Sequence, residues 1–269
     1  MNYLFKLKNL LSKSERLIFV YISLLVPTFS SAFSYGNPKE IEFGSTNFQL
    51  EYNNQGYLEA IDKYYNNVLV DVERISYSYP NQIKIDFLKP DPEILDNPYN
   101  TLKNIGNARL YELHPAQSDF TTIIFKDGVK FMTEKINKKG LQVDNNTTLD
   151  IKFKWSKKGI TSIENYRDNT KCEIKYSDLP YLIVKESHWD WLSFVISRTL
   201  YPTFGNFIFT YNTLQPFKYV PETIEITRNG RKEVYMLEYN ILTFPNFRLG
   251  IKTIQNGKMV KRDYVHINF

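Results

Sequence analysis

The feature that most constrains this chain is a set of three two-residue turns, each set between runs that alternate apolar and polar residues. Asp127-Gly128 lies inside TTIIFKDGVKFMTEKI (121–136), Asn229-Gly230 inside ETIEITRNGRKEVYMLEYNIL (222–242), and Asn256-Gly257 inside LGIKTIQNGKMVKRDYVHINF (249–269). Asn-Gly and Asp-Gly accept the positive φ of a type I′ turn, whose twist matches that of the flanking strands. Three such turns in one chain argue for antiparallel sheet.

Alternation extends the argument. Ile224, Ile226, Val234 and Met236 alternate with Glu225, Thr227 and Glu233, while Ile151, Phe153 and Trp155 alternate with Lys152, Lys154 and Ser156. Each is a strand with one apolar and one wet face. Further strand candidates are 41–52, 74–79, 82–88, 160–167, 172–176 and 206–211, making about twelve in all. Helix signals are scarcer. Segment 182–200 reads as a helix with Ser187 as N-cap candidate, or as a strand over Tyr181–Lys185 that becomes helical near Ser187, with Trp191, Phe194 and Val195 at helical spacing. A second, short helix is expected over 56–66. The prolines at 90, 92 and 98 make 89–98 a loop. Together with 99–119 it forms a long connection with a short helix near Asn100–Ile105, and any domain seam belongs there. The expected fold is mainly β (a β-rich α+β class), an antiparallel, hairpin-linked curved sheet or half-barrel with one or two short helices packed on it.

The N-terminus reads as an address. Lys6, Lys8, Lys13 and Arg16 precede the apolar run Leu17 to Val26, and Ser30 and Ala32 fit the small-x-small pattern of a cleavage site after Ala32. The run reaches only about 13 residues, against about 20 for a spanning helix. Residues 1–32 are therefore expected to be a signal peptide, and 33–269 a single β-rich domain acting in the periplasm or outside the cell. The only membrane contact this reading requires is the transient one of the leader.

Removing the leader alters the charge argument. The whole chain carries 34 basic and 29 acidic residues, net +5; the leader holds four and one of these, leaving 30 and 28, net +2. A near-neutral domain offers no electrostatic case for nucleic acid. Apolar residues make up 42% and aromatics 16%, enough for a large core. That core is needed, because the lone Cys172 permits no internal disulfide in an oxidising compartment. Cys172 itself reads as a small strand residue.

Sites for chemistry are few. His114, His188 and His266 stand far apart, with no HExxH and no cysteine pair, so neither metal nor other cofactor is expected. His114 falls in a loop before Pro115, and His266 on the wet face of the last strand. Glu186, Ser187, His188 and Asp190 lie close in sequence, but neighbouring positions on a helix point apart, and the group reads as a helix start capped by Ser187. No phosphate-binding loop and no G-x-S-x-G elbow is present. Asp91 and Glu93 read as solvated loop acids, and Asn145-Asn146-Thr147-Thr148 as a polar turn.

The aromatic residues are the candidate ligand-binding set. Trp155, Trp189, Trp191, Phe194, Tyr201 and Phe204, continuing into Phe207, Phe209 and Tyr211, would line a cavity between sheet and helix able to hold an acyl chain. The commoner use of such rings is core filling, which competes with that reading.

In arrangement the chain resembles the curved-sheet periplasmic lipid and lipoprotein carriers, a likeness of architecture that transfers no residue. The ending YVHINF, with Val265, Ile267 and Phe269 alternating, resembles the closing strand of bacterial outer-membrane β-barrels. The leading expectation is an exported, non-catalytic binding or envelope-associated domain whose partner is an apolar or lipid-like ligand or an envelope protein. A small outer-membrane barrel is the alternative, and an envelope-polymer hydrolase the third.

Overall fold

The computed structural model describes residues 37–78, 82–90, 102–114, 119–144, 147–181, 191–199, 217–241 and 246–269. The leader, the 206–211 strand candidate and the Glu186–Asp190 group lie outside them.

Sixteen strands run antiparallel in chain order, each paired with the next, and the last pairs with the first to close a barrel. The first quarter holds β1 (Glu40–Phe43), β2 (Thr46–Tyr52), β3 (Leu58–Tyr65) and β4 (Val68–Ser78). Next come β5 (Gln82–Lys89), β6 (Lys103–His114), β7 (Asp119–Lys126) and β8 (Val129–Asn137). They are followed by β9 (Gly140–Val143), β10 (Ile151–Ser156), β11 (Gly159–Asn165) and β12 (Thr170–Pro180). A helix, α1 (Trp191–Thr199), precedes β13 (Tyr219–Arg228), β14 (Arg231–Ile241), β15 (Asn246–Gln255) and β16 (Lys258–Asn268). Asn37 to Phe269 form one compact unit.

The mainly-β, antiparallel expectation holds, but the sheet closes instead of staying an open curve or half-barrel. Closure sets Ile267 opposite Ile41, and Ile41 opposite Phe48. All three are buried, so the seam is sealed by packing as well as by the ladder. Register shifts in the β2–β3, β5–β6, β7–β8, β10–β11 and β15–β16 pairs add the local twist that closure demands.

The three turns behave as their sequences require. Asp127 and Gly128 have φ of 51° and 77°, Asn229 and Gly230 of 49° and 76°, Asn256 and Gly257 of 50° and 75°. Asn66-Asn67, with φ of 49° and 64°, makes the same kind of turn without a glycine.

Three local expectations are corrected. Residues 56–66 form no helix: Leu58, Ala60 and Ile61 are buried in β3, where pairing on both sides outweighs modest helical spacing. The 41–52 run is not one strand but the β1–β2 hairpin, broken at Gly44 (φ 56°). The connection over 99–119 contains no helix near residue 105; β6 starts at Lys103, and His114 ends that strand opposite Asp119 instead of sitting in a loop.

Burial separates the two faces of the wall. In one row of facing pairs, Ile136, Leu141 and Ile151 are buried, as are Phe153, Ile163, Cys172 and Ile226 in another. The alternate positions carry charge. Lys154 meets Glu164 at 2.7 Å, Lys232 meets Glu225 at 2.5 Å, and Glu238 receives both Lys252 (2.5 Å) and Arg262 (2.8 Å). His266 is exposed on this charged face, as its strand position implied. In these rows the enclosed side is the apolar one.

Candidate functional site

By strand order, β1 begins, β12 ends, β13 begins and β16 ends at one end of the barrel, and the Asp127-Gly128, Asn229-Gly230 and Asn256-Gly257 turns lie at the other. These ends hold different chemistry. In α1, Leu192, Ser193, Phe194, Val195 and Ile196 are all buried, so this stretch of the helix is enclosed and does not lie on a surface. Phe194 meets Phe48 of β2 edge-on at 5.2 Å. Trp191 makes edge contacts with Tyr181, Phe247 and Phe269, with ring centres at 6.2, 6.0 and 5.7 Å. Edge-to-face geometry suits the ring quadrupoles and adds to area burial. The helix therefore plugs the terminal end of the lumen with an aromatic cluster.

Of the aromatic residues singled out by sequence, Trp191 and Phe194 come together on this plug. Trp155, near the same end on β10, donates its indole N–H to the Lys138 carbonyl. Trp189, Tyr201 and Phe204 lie outside the described residues. Of the three that are described, none lines the hollow at the other end.

That hollow, a cavity of about 400 Å³, lies among β4 to β8 near the two-residue turns. Its lining includes Phe87, Asn107, Arg109, Ile124, Lys126 and Phe131. Register explains the convergence. Phe87 pairs with Asn107, and Arg109 with Ile124, while Lys126 lies two residues beyond Ile124 on the same face. Between the lining residues Ile105 and Asn107, Gly106 has φ 71°; its amide bonds the Asn104 side chain at 2.8 Å, and its carbonyl accepts the Gly128 amide at 2.8 Å. A Cβ there would stand 2.4 Å from the Gly128 nitrogen, so the β7–β8 turn docks against a position open only to glycine.

Below the cavity the lumen changes character. Tyr111, Thr122 and Glu134 form one cross-strand row on β6, β7 and β8, all buried. Arg109 lies one step toward the cavity, its guanidinium 5.6 Å from the centre of the Phe87 ring. Burial works against the Arg109 charge, but Tyr111, Glu73 and Glu134 outweigh it and hold the guanidinium above its ordinary pKa. Burial raises the Glu134 carboxyl, Arg109 and Arg167 offsetting only part of that. Glu134 Oε2 and Thr122 Oγ1 are buried without a hydrogen-bond partner. Polar atoms left so in an apolar lumen are costly and mark a place where a further polar group fits. Arg109 nevertheless keeps some accessible surface, and it lines the hollow.

Cys172 is buried, and burial pushes its thiol up to about 12, which suits a packing role and not a nucleophile. Among the described residues, no group of three or more His, Cys, Asp or Glu side chains is placed to hold a metal ion.

The Arg109 cluster was missed by sequence reasoning because 99–119 reads as a connection. One signal was present: Asn107, Arg109 and Tyr111 alternate with Ala108 and Leu110. An alternation argument would still have turned the arginine outward.

No family model matches this chain. No curated protein matches it either. Among solved structures, it is similar to a porin-like protein from Bacteroides uniformis, at 10% identity and a TM-score of 0.43 over 87% of this chain and 98% of that one. It is likewise similar to a porin-like protein from Bacteroides vulgatus, at 13% identity and a TM-score of 0.41 over 86% of this chain and 98% of that one.

Proposed function

We propose that this chain is a cell-envelope barrel that shelters an apolar or amphiphilic ligand in its lumen and performs no catalysis. The observation that carries the reading is the polarity of the wall. Inward rows such as Phe153, Ile163, Cys172 and Ile226 are buried and apolar, while outward rows hold ion pairs such as Lys154–Glu164 and Glu238–Arg262. Charged pairs are inexpensive in water and costly in hydrocarbon, so this outer wall suits an aqueous surround. The short β1 and β9, four residues each, also fall below the roughly 9–11 residues a spanning strand uses. An apolar lumen with a plug at one end and a hollow at the other is the form of a container. Placement in the envelope rests on the leader-like residues 1–32.

A second reading, a barrel seated in the outer membrane, has support of its own. The sheet closes with an even number of antiparallel strands. Part of the outer wall is also apolar, where Leu110 faces Ile123.

Fractionation of cells expressing the full chain separates the two. Release by osmotic shock without detergent, followed by fluorescence enhancement of the neutral probe N-phenyl-1-naphthylamine, is the result expected of a container. Recovery only in detergent-extracted outer membrane would favour the second reading. Release without any probe binding would sink the ligand claim.

A further inference from the structure

The cavity among β4 to β8 is more specific than an apolar hollow, and its chemistry names a ligand class. Arg109, Lys89 and Lys126 all line it, whereas its one acid, Asp71, has a partner in Lys63 at 3.5 Å. Two further acids act on Arg109: Glu134 in the row deeper than it, and Glu73, buried in the row of Phe87 and Asn107 on its other side. Lys89 and Lys126, by contrast, are exposed. Between these charges lies apolar lining from Phe87, Ile105, Ile124 and Phe131. The rings are already set for cations, with Arg109 over Phe87 at 5.6 Å and the Lys126 amine 5.7 Å from the Phe131 ring centre.

We propose that this cavity binds a single-tailed amphiphilic anion, its acidic head on the Arg109–Lys126 side and its apolar body against Phe87, Ile124 and Phe131. The proposal rests on the container reading and gives its ligand a charge and a place. Size favours one tail over two, since about 400 Å³ sits near the lower end of small-molecule sites. Charge sign follows from the lining. The cations that reach the cavity outnumber its single, paired acid, and a guanidinium offers a planar fork suited to a carboxylate. The unpartnered Thr122 Oγ1 and Glu134 Oε2 beneath Arg109 are a separate sign that a polar group is accommodated at this depth.

Isothermal titration of the full chain with decanoate and with 1-decanol, at pH 8 and low salt, tests the proposal. Decanoate is expected to bind about tenfold tighter than the neutral alcohol, a difference of one charge-assisted contact. A double variant, Lys89→Gln with Lys126→Gln, alters only exposed side chains and is expected to remove most of that ratio, chiefly by weakening decanoate. Lys171→Gln, remote on β12, is expected to keep it. Arg109→Lys retains the charge inside the cluster and is expected to weaken decanoate several-fold by losing the forked geometry. Equal binding of acid and alcohol would overturn the anion claim and leave the container reading standing. A decanoate preference that survives in the double variant would overturn the placement. Failure of either ligand to bind would overturn both.

Discussion

At the residue scale, Glu134 joins position and energy most directly. It faces Thr122 in the middle of the wall, with Arg109 and Arg167 as attractive neighbours and Asp144 and Asp150 as repulsive ones. Burial dominates and raises its carboxyl above the ordinary value. The folded chain therefore holds this proton more tightly than the unfolded chain does. The contribution to stability is complete below the ordinary carboxylate pKa and is lost as pH rises through the raised one. Glu134→Gln removes the penalty at neutral pH. We expect its Tm at pH 7.5 to exceed the parent's by on the order of 2–4 °C, the shift that about 1 kcal/mol produces in a domain of this size. The gain should shrink toward zero near pH 4. A thermal melt at each pH checks this, and a lower Tm at pH 7.5 would mean that pairing with Arg109 outweighs burial. On the outer wall the sign reverses. Hydrogen bonds from lysines hold Glu164 and Glu238 below their ordinary values, so what they add is lost as pH falls through those lowered values.

At the scale of elements, α1 is the unusual one. A nine-residue helix has little stability alone, so its persistence depends on the packing around it. Five consecutive residues, Leu192 to Ile196, are buried, which no surface helix shows. Phe194→Ala should therefore cost about 3–5 kcal/mol, the usual range for a buried phenylalanine. Urea unfolding followed by tryptophan fluorescence measures it. A loss under about 1 kcal/mol would mean that the plug can leave the barrel without unfolding it. The hairpins are the opposite kind of element. Their turns at Asp127, Asn229 and Asn256 are specified by two residues each and depend on no distant partner.

At the scale of the whole molecule, stability rests on closure. Within hairpins, pairing links near neighbours, but β1 and β16 bring Glu40 opposite Asn268 across nearly the full chain. The Asn268 amide also donates to Glu40 Oε2 at 2.7 Å over that seam. Val265 and Ile267 of β16 are completely buried against β1 and β15. A chain ending before Lys258 loses both ladders and exposes two unpaired edges, the usual starting point for association. Such a truncation is expected to abolish the cooperative melt seen by circular dichroism and to elute as aggregate. A cooperative, monomeric truncation would show that an open sheet suffices.

The sequence by itself determined the strand class, the antiparallel sense and the positions of the three glycine turns, because these are local. A type I′ turn needs only its own φ angles, and a half-buried strand needs only a period of two. It also placed Cys172 and His266 on their strands. Only the tertiary structure decided that the sheet closes, that 58–65 and 103–114 are strands, and which alternate row faces inward. Period-two alternation labels two faces without saying which one is enclosed. In β6 the inward row is the polar one, Asn107, Arg109 and Tyr111. That choice is made by partners on β5 and β7, and ultimately by the pairing of β1 with β16 far along the chain. The candidate site was therefore illegible in the sequence for the same reason as the closure: each depends on contacts between residues whose separation along the chain carries no pattern of its own.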